Sequence, residues 1–268
     1  MSLLLSLFKR ITRLFYEFID GKFQPKVFLK LNDEQFTDAD YIIQKMIEIN
    51  LNKYFPGLKI FGEEDLSQNL IPESFYYRTD DINLDMIDNV ETVEILQEEL
   101  VLFVDPIDST VNFIKKNFSP VTSLVGITRN SKPFIGFVHY PLYEGRLNNS
   151  LTFFNIPSKG IFSFNIFTDE IKLVEIKKKK LSEWEFISSP IYIRHPKMLE
   201  TYELFENYKS ISACGLGNKA MKVVLEDTIF LSNGQSMYLI SYIIRNWFVG
   251  FVCRTLFSQG IGRWIILF

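Results

Sequence analysis

Ligands for soft metals are scarce in this sequence. Its 268 residues hold two cysteines, Cys214 and Cys253, and two histidines, His139 and His195. A structural zinc site draws four such ligands from short spacings, and these four are scattered. Metal chemistry, if any, must therefore run on carboxylates. Two distant thiols also exclude a disulfide scaffold and read as reduced residues of a cytoplasmic protein. Basic charge is not in excess either: 29 Lys and Arg stand against 32 Asp and Glu, a net charge of −3. A binder of nucleic-acid polymers needs a dominant basic face, and none is available. Substrate charge must be met locally, by bound cations or a few placed basic groups. Alanine is nearly missing, with Ala39, Ala213 and Ala220 against 26 Phe, which reads as coding bias rather than function.

Long apolar runs are missing as well. The N-terminal run stops at Phe8, before Lys9 and Arg10, too short for a signal peptide or a membrane span. Leu4, Leu5, Phe8, Ile11, Leu14, Phe15 and Phe18 recur at helical spacing and predict an amphipathic first helix, a membrane-surface helix being the minor alternative. Near the other end, residues 239–257 are broken by a central Arg245-Asn246 pair, which argues against a spanning helix. What the sequence does hold is 47% hydrophobic and 23% charged residues, enough for one large domain or two modest ones.

Residues 37–55 predict a second helix, capped by Thr37 or Asp38 and striped by Ile42, Ile43, Met46, Ile47 and Leu51; Pro56-Gly57 ends it. Residues 58–61 predict a short strand, and 66–99 an acidic, solvated insertion. Strands are expected at 100–104, 121–128, 134–140, 151–156, 160–167, 171–176 and 184–189, with a turn at 130–132. Lys177–Lys180 reads as a solvated loop. Helices are expected at 196–208 and 218–226. This alternation implies an α/β fold in layers of helices and sheets.

The chemistry concentrates in Val104-Asp105-Pro106-Ile107-Asp108-Ser109-Thr110. Two carboxylates stand three residues apart at the end of a buried strand, and Pro106 is expected to fix a turn that leaves the Ile107 carbonyl free. Asp105, that carbonyl and Asp108 suit a hard cation such as Mg2+, which takes oxygen ligands and bridges to phosphate. A helix opening at Ser109-Thr110 would favour an anion at its start. Alone, this motif reads equally well as a strand-ending turn. A second acidic cluster, Gly62-Glu63-Glu64-Asp65, also follows a strand, and Asp40 lies in the first turn of a helix. Together they meet the needs of an oxygen-only metal site with a group to orient water.

Thr37-Asp38-Ala39-Asp40, Gly62-Glu63-Glu64-Asp65 and Asp105-Pro106-Ile107-Asp108-Ser109-Thr110, in this order, resemble the Mg2+-dependent, lithium-sensitive phosphomonoesterases related to inositol monophosphatase. The resemblance runs from about residue 30 to residue 238. Within that superfamily the chain looks most like the 3'(2'),5'-bisphosphate nucleotidases, through the length of its acidic insertion and the stretches 125–141 and Gly215-Leu216-Gly217-Asn218-Lys219. Ser109, where most relatives carry Gly, is shared with the inositol polyphosphate 1-phosphatases, the runner-up.

The resemblance implies the sugar-phosphatase fold, with a metal-binding half at 1–145 and a substrate half at 146–268. It implies Mg2+ held by Glu63, Asp105, the Ile107 carbonyl and Asp108, with Asp40 and Thr110 positioning and deprotonating the attacking water. Ser109, Gly215 and Lys219 would contact a small phosphorylated substrate, an adenosine or inositol bisphosphate. For Lys219 a helix-surface role is an equal alternative. His195 lies near a nucleotide-touching histidine of relatives, with a surface role competing, and His139 reads as structural.

The chain departs from the family at its end. A Trp-Asp signature that supplies a further metal ligand should follow residues 231–238, but 239–268 does not resemble it. Between Thr228 and Phe268 there is no Asp or Glu. A relative that is catalytically impaired is the alternative this departure implies.

Overall fold

The computed structural model describes residues 1–30, 35–64, 95–176, 185–188, 209–226 and 229–230. Asp65, most of the acidic insertion, Lys177–Lys180, His195, the helix expected at 196–208 and the tail 239–268 lie outside the described residues.

Helix α1 (Ser2–Ile19) follows the apolar spacing and buries Leu4, Leu5, Phe8, Ile11, Phe15 and Phe18. Its first two turns are buried beyond that stripe, with Leu3, Ser6 and Leu7 also enclosed. Among the described residues no helix is long and apolar enough to cross a membrane. Strands β1 (Val27–Leu29) and β2 (Gln35–Thr37) form an antiparallel hairpin that feeds helix α2 (Asp38–Tyr54). The expected stripe of α2, from Ile42 to Leu51, is buried.

A seven-stranded sheet forms the centre. Its strands run in chain order: β3 (Lys59–Gly62), β4 (Leu100–Asp108), β5 (Thr122–Arg129), β6 (Lys132–Tyr140), β7 (Leu151–Ile156), β8 (Gly160–Asn165) and β9 (Ile171–Leu173). Only β3 and β4 pair in parallel; every other neighbour is antiparallel. The β5–β6 turn uses Asn130 and Ser131 at φ 50 and φ 62, the primed geometry that matches strand twist. Short helix α3 (Thr110–Ile114) lies between β4 and β5. The expected division near residue 145 falls between β6 and β7, which are hydrogen-bonded neighbours.

Because side chains alternate across a strand, this sheet feeds two cores. Val125, Phe137, Phe154 and Phe164 point to one face, where α1 and α2 supply Leu5, Phe8, Ile11, Ile43 and Ile47. Leu124, Val138, Phe153 and Ile161 point to the other, against Ala213, Met221, Val223 and Val224. That second layer holds helix α4 (Leu216–Glu226) and a parallel sheet in which β10 (Glu185–Ser188) lies between β11 (Lys209–Ser212) and β12 (Ile229–Phe230). Each fully buried Phe contributes about 1.5–3 kcal/mol of transfer free energy, so burial on both faces fixes the register of the central strands. The architecture is the expected α/β layering.

His139 proves to be a core residue. Its Nε2 meets Thr12 Oγ1 at 3.1 Å and its Nδ1 meets Thr152 Oγ1 at 3.0 Å, with the Phe8 ring stacked at 4.8 Å. Burial pushes its pKa down to about 3, so it is held neutral.

Candidate active site

Strand pairing brings the two acidic motifs together. Parallel register sets Gly62 beside Val104, and the Glu63 N–H continues the ladder to the Val104 carbonyl at 2.9 Å. The next residues, Glu63 and Asp105, therefore stand side by side where β3 ends and β4 runs on. They are 42 positions apart in sequence and adjacent in space. Burial, then the Glu63 and Asp108 carboxylates, push the Asp105 carboxyl well above its ordinary pKa.

The Asp105–Asp108 segment is not a tight turn. Strand β4 continues to Asp108, and its register against β5 shifts between Asp105 and Asp108. Pro106 cannot donate to a ladder, and such a bulge is where a central strand tolerates it. The Ser123 hydroxyl binds the Pro106 carbonyl at 2.6 Å and secures the bulge. Ser109 follows at φ 77, ψ 44 as the cap of α3, a left-handed conformation costly for any residue but glycine. The expected anion site at this helix start is weakened by length: five residues align few peptide dipoles.

Asp40 arrives from the first turn of α2. The Thr37 N–H and hydroxyl donate to its Oδ2 at 2.7 and 2.6 Å, so the carboxylate closes the helix start as part of a capping box. Its Oδ1 lies 3.4 Å from Thr110 Oγ1. That hydroxyl donates to the Ile107 carbonyl at 2.9 Å. The carbonyl is thus not free, although its second lone pair can still take a ligand. Asp40 is 1% exposed. Burial raises its pKa to about 7, the Thr37 hydroxyl opposing and Glu64 and Glu63 adding to the rise.

Asp108 faces the second layer. Its Oδ1 accepts from Leu216 N–H at 3.0 Å, and its Oδ2 from Gly217 N–H at 2.7 Å and the Thr122 hydroxyl at 3.0 Å. It thereby caps α4 across 108 residues of sequence. Burial raises its pKa against these donors. The contact demands glycines: Gly215 has φ +73, and a Cβ there would lie 2.5 Å from the Pro120 carbonyl oxygen. Lys219, one turn into α4, is buried; burial pushes its pKa down while Asp108 opposes.

Three contributors escaped the sequence reading. Lys30 Nζ sits 2.9 Å from Glu63 Oε1 and 2.7 Å from Glu64 Oε1. Burial opposes its charge, but the two glutamates outweigh it and raise its pKa. The Gln44 carboxamide clamps Glu64, accepting from its N–H and donating to its carbonyl, both at 2.9 Å. Gly62 makes room for it, since a Cβ there would fall 1.9 Å from Gln44 Nε2. The third is Thr122. Only Gln44 carries a legible signal, a polar residue four places after Asp40 on an apolar helix.

The donors fit a hard divalent cation. They are all oxygen, and Asp105 Oδ1 is buried with no hydrogen-bond partner, an arrangement that is costly unless a ligand satisfies it. Among the described residues no three carboxylate, histidine or cysteine side chains form a ready-made cage. Asp108 accepts from Leu216, Gly217 and Thr122, and Glu63 pairs with Lys30, so a cation would share the lone pairs that remain on these carboxylates.

Comparison with known proteins agrees with this layout. The model of the inositol monophosphatase family matches residues 10–237, stopping just before the divergent tail. A putative inositol monophosphatase 3 of Drosophila pseudoobscura pseudoobscura is 24% identical over 220 residues, 80% of this chain and 55% of that protein. The 3'(2'),5'-bisphosphate nucleotidase 1 of Rattus norvegicus is 27% identical over 146 residues, 48% of this chain and 44% of that one. The chain thus spans about half the length of these curated relatives. Among solved structures, an IMPase/NADP phosphatase complexed with Mg2+ and phosphate superposes with a TM-score of 0.57 at 18% identity, over 90% of this chain and 76% of that one. The same kind of protein with NADP and Ca2+ gives 0.58 at 20% identity, over 85% and 73%. At such identities the likeness is one of fold.

Proposed function

The chain belongs to the inositol monophosphatase family, and from that premise we propose that it is a Mg2+-dependent phosphomonoesterase acting on 3'-phosphoadenosine 5'-phosphate or a related 3'(2'),5'-bisphosphate nucleotide. One observation carries the reading: Glu63 and Asp105 stand side by side on paired parallel strands, and Asp105 Oδ1 is buried with no hydrogen-bond partner. Glu63, Asp105, the Ile107 carbonyl and Asp108 would hold the cation. A divalent cation bound there supplies neutralisation of the phosphoryl oxygens and a lowered pKa for water. Thr110 and Asp40 would orient the attacking water and take its proton, Asp40 being the acceptor. The phosphoryl group would lie at the Glu63–Asp105 end of the sheet, and Gly215, Lys219 and Ser109 would receive the rest of the substrate from the α4 side. Cytoplasmic location belongs to this reading.

The nucleotide preference is supported by the Gly215–Lys219 stretch and by the similarity to the rat nucleotidase. Ser109 supports an inositol bisphosphate as the competing substrate. A second reading, a relative that binds ligand without turnover, is favoured by the lack of any Asp or Glu between Thr228 and Phe268. Phosphate release from 3'-phosphoadenosine 5'-phosphate and from an inositol bisphosphate, each with Mg2+, separates the three. Release abolished by Asp105→Asn supports the enzyme; nucleotide binding with no release supports the second reading.

A further inference from the structure

The Lys30 ammonium sits on a carboxylate oxygen that a cation would need. It follows β1 directly, on the hairpin that packs beside α2, and reaches both Glu63 Oε1 at 2.9 Å and Glu64 Oε1 at 2.7 Å. The Phe36 ring lies under it at 5.9 Å. Its side chain is 23% exposed and that of Glu64 only 6%, so water screens the pair less than it would at the open surface. Around this point Asp40, Glu63, Glu64 and Asp105 repel one another. A single positive charge tethered there lowers that repulsion when no other cation is present. The same charge repels an incoming divalent ion and occupies the Glu63 oxygen that would bind it. Glu64 offers the ammonium a second seat on the same side chain's reach, so leaving Glu63 does not strand it in an uncharged environment.

We propose that Lys30 is a built-in competitor of the divalent cation: it neutralises the acidic loop in the metal-free protein, weakens cation affinity, and passes from Glu63 to Glu64 when the cation binds. The proposal rests on the reading of Glu63 as a metal ligand. It makes Lys30 a positioning residue that sets the cation concentration at which the site fills.

The test is a calorimetric titration of the full chain with Mn2+, in the wild type and in Lys30→Met, with melting curves of both in EDTA. Methionine keeps the apolar stem and removes the charge. Lys30→Met should bind Mn2+ about tenfold more tightly, a change of about 1.4 kcal/mol, and should melt lower in EDTA. Lys30→Arg should keep the wild-type affinity. Should Lys30→Met fail to fold, Glu64→Gln in the wild-type background gives the second test. Removing the alternative seat should weaken Mn2+ binding and leave the EDTA-treated Lys30–Glu63 pair intact, so its melting point should shift less than that of Glu63→Gln. Mn2+ binding to Lys30→Met but not to the wild type would support the proposal most strongly. Wild-type binding with no tightening in Lys30→Met, or with weakening, overturns this proposal alone. No saturable binding in either protein overturns it together with the metal-site reading.

Discussion

Replacing Asp40 with Asn should stabilise the metal-free protein, and the gain should grow with pH. Asp40 is buried, receives two hydrogen bonds from Thr37, and has its pKa raised from 3.8 to about 7, mainly by burial. The folded protein therefore holds a proton that the unfolded chain releases between those two values. Stability from this group is present at low pH, fades as pH rises through the window, and is gone above about 7. The full shift of about three pKa units corresponds to about 4 kcal/mol, and relaxation of the site brings the expectation to about 2–4 kcal/mol. Asparagine can accept the same two Thr37 hydrogen bonds without a charge, so the variant escapes the loss. Urea denaturation in EDTA at pH 4, 5.5, 7 and 8 measures it. The stability difference between Asp40→Asn and wild type should rise by about 1.4 kcal/mol per pH unit across the window and then level off. A difference independent of pH, or a variant less stable than wild type at pH 8, would refute the picture of a charge forced into a buried acidic site.

His139 should act with the opposite sign. Its folded pKa of about 3 lies below the ordinary 6.5, so stability is lost as pH falls from 6.5 towards 3, by about 1.4 kcal/mol per unit. His139→Asn should show a flatter pH dependence over 6.5 to 4.5 in the same denaturation assay. Gly215→Ala forces a left-handed alanine and a 2.5 Å approach to the Pro120 carbonyl; it should cost about 2 kcal/mol or more in a thermal melt. Ser109→Gly should exceed Ser109→Ala in stability by about 1 kcal/mol, because only glycine relieves the left-handed cap while both lose the 2.8 Å contact with Asn112 Nδ2.

The elements were legible where periodicity was strong. Apolar spacing marks α1 and α2 because each presents a buried stripe, and the strands from β5 to β8 stand out as apolar runs because both faces of the sheet are covered. The β1–β2 hairpin was missed: three-residue strands with Val27 and Leu29 exposed carry no burial pattern. Strand β4 was cut short at Asp105 because Pro106 reads locally as a turn, and only pairing with β5 reveals a bulge.

The site divides along the same line. Asp40, Glu63, Asp105 and Thr110 are expected from motifs on consecutive elements, and the parallel β3–β4 register explains why Glu63 and Asp105 lie together. The roles of Lys30 and Asp108 depend on partners 33 and 108 positions away, so no local pattern announces them. His195 and Asp65 fall outside the described residues.

The central claim is that Glu63 and Asp105 share one divalent cation at the end of their paired strands. A crystal grown with Mn2+ tests it through the anomalous difference map. The account predicts a peak within bonding distance of Asp105 Oδ1 and a Glu63 oxygen. A map with no peak there, or with Mn2+ bound only elsewhere on the chain, would contradict it.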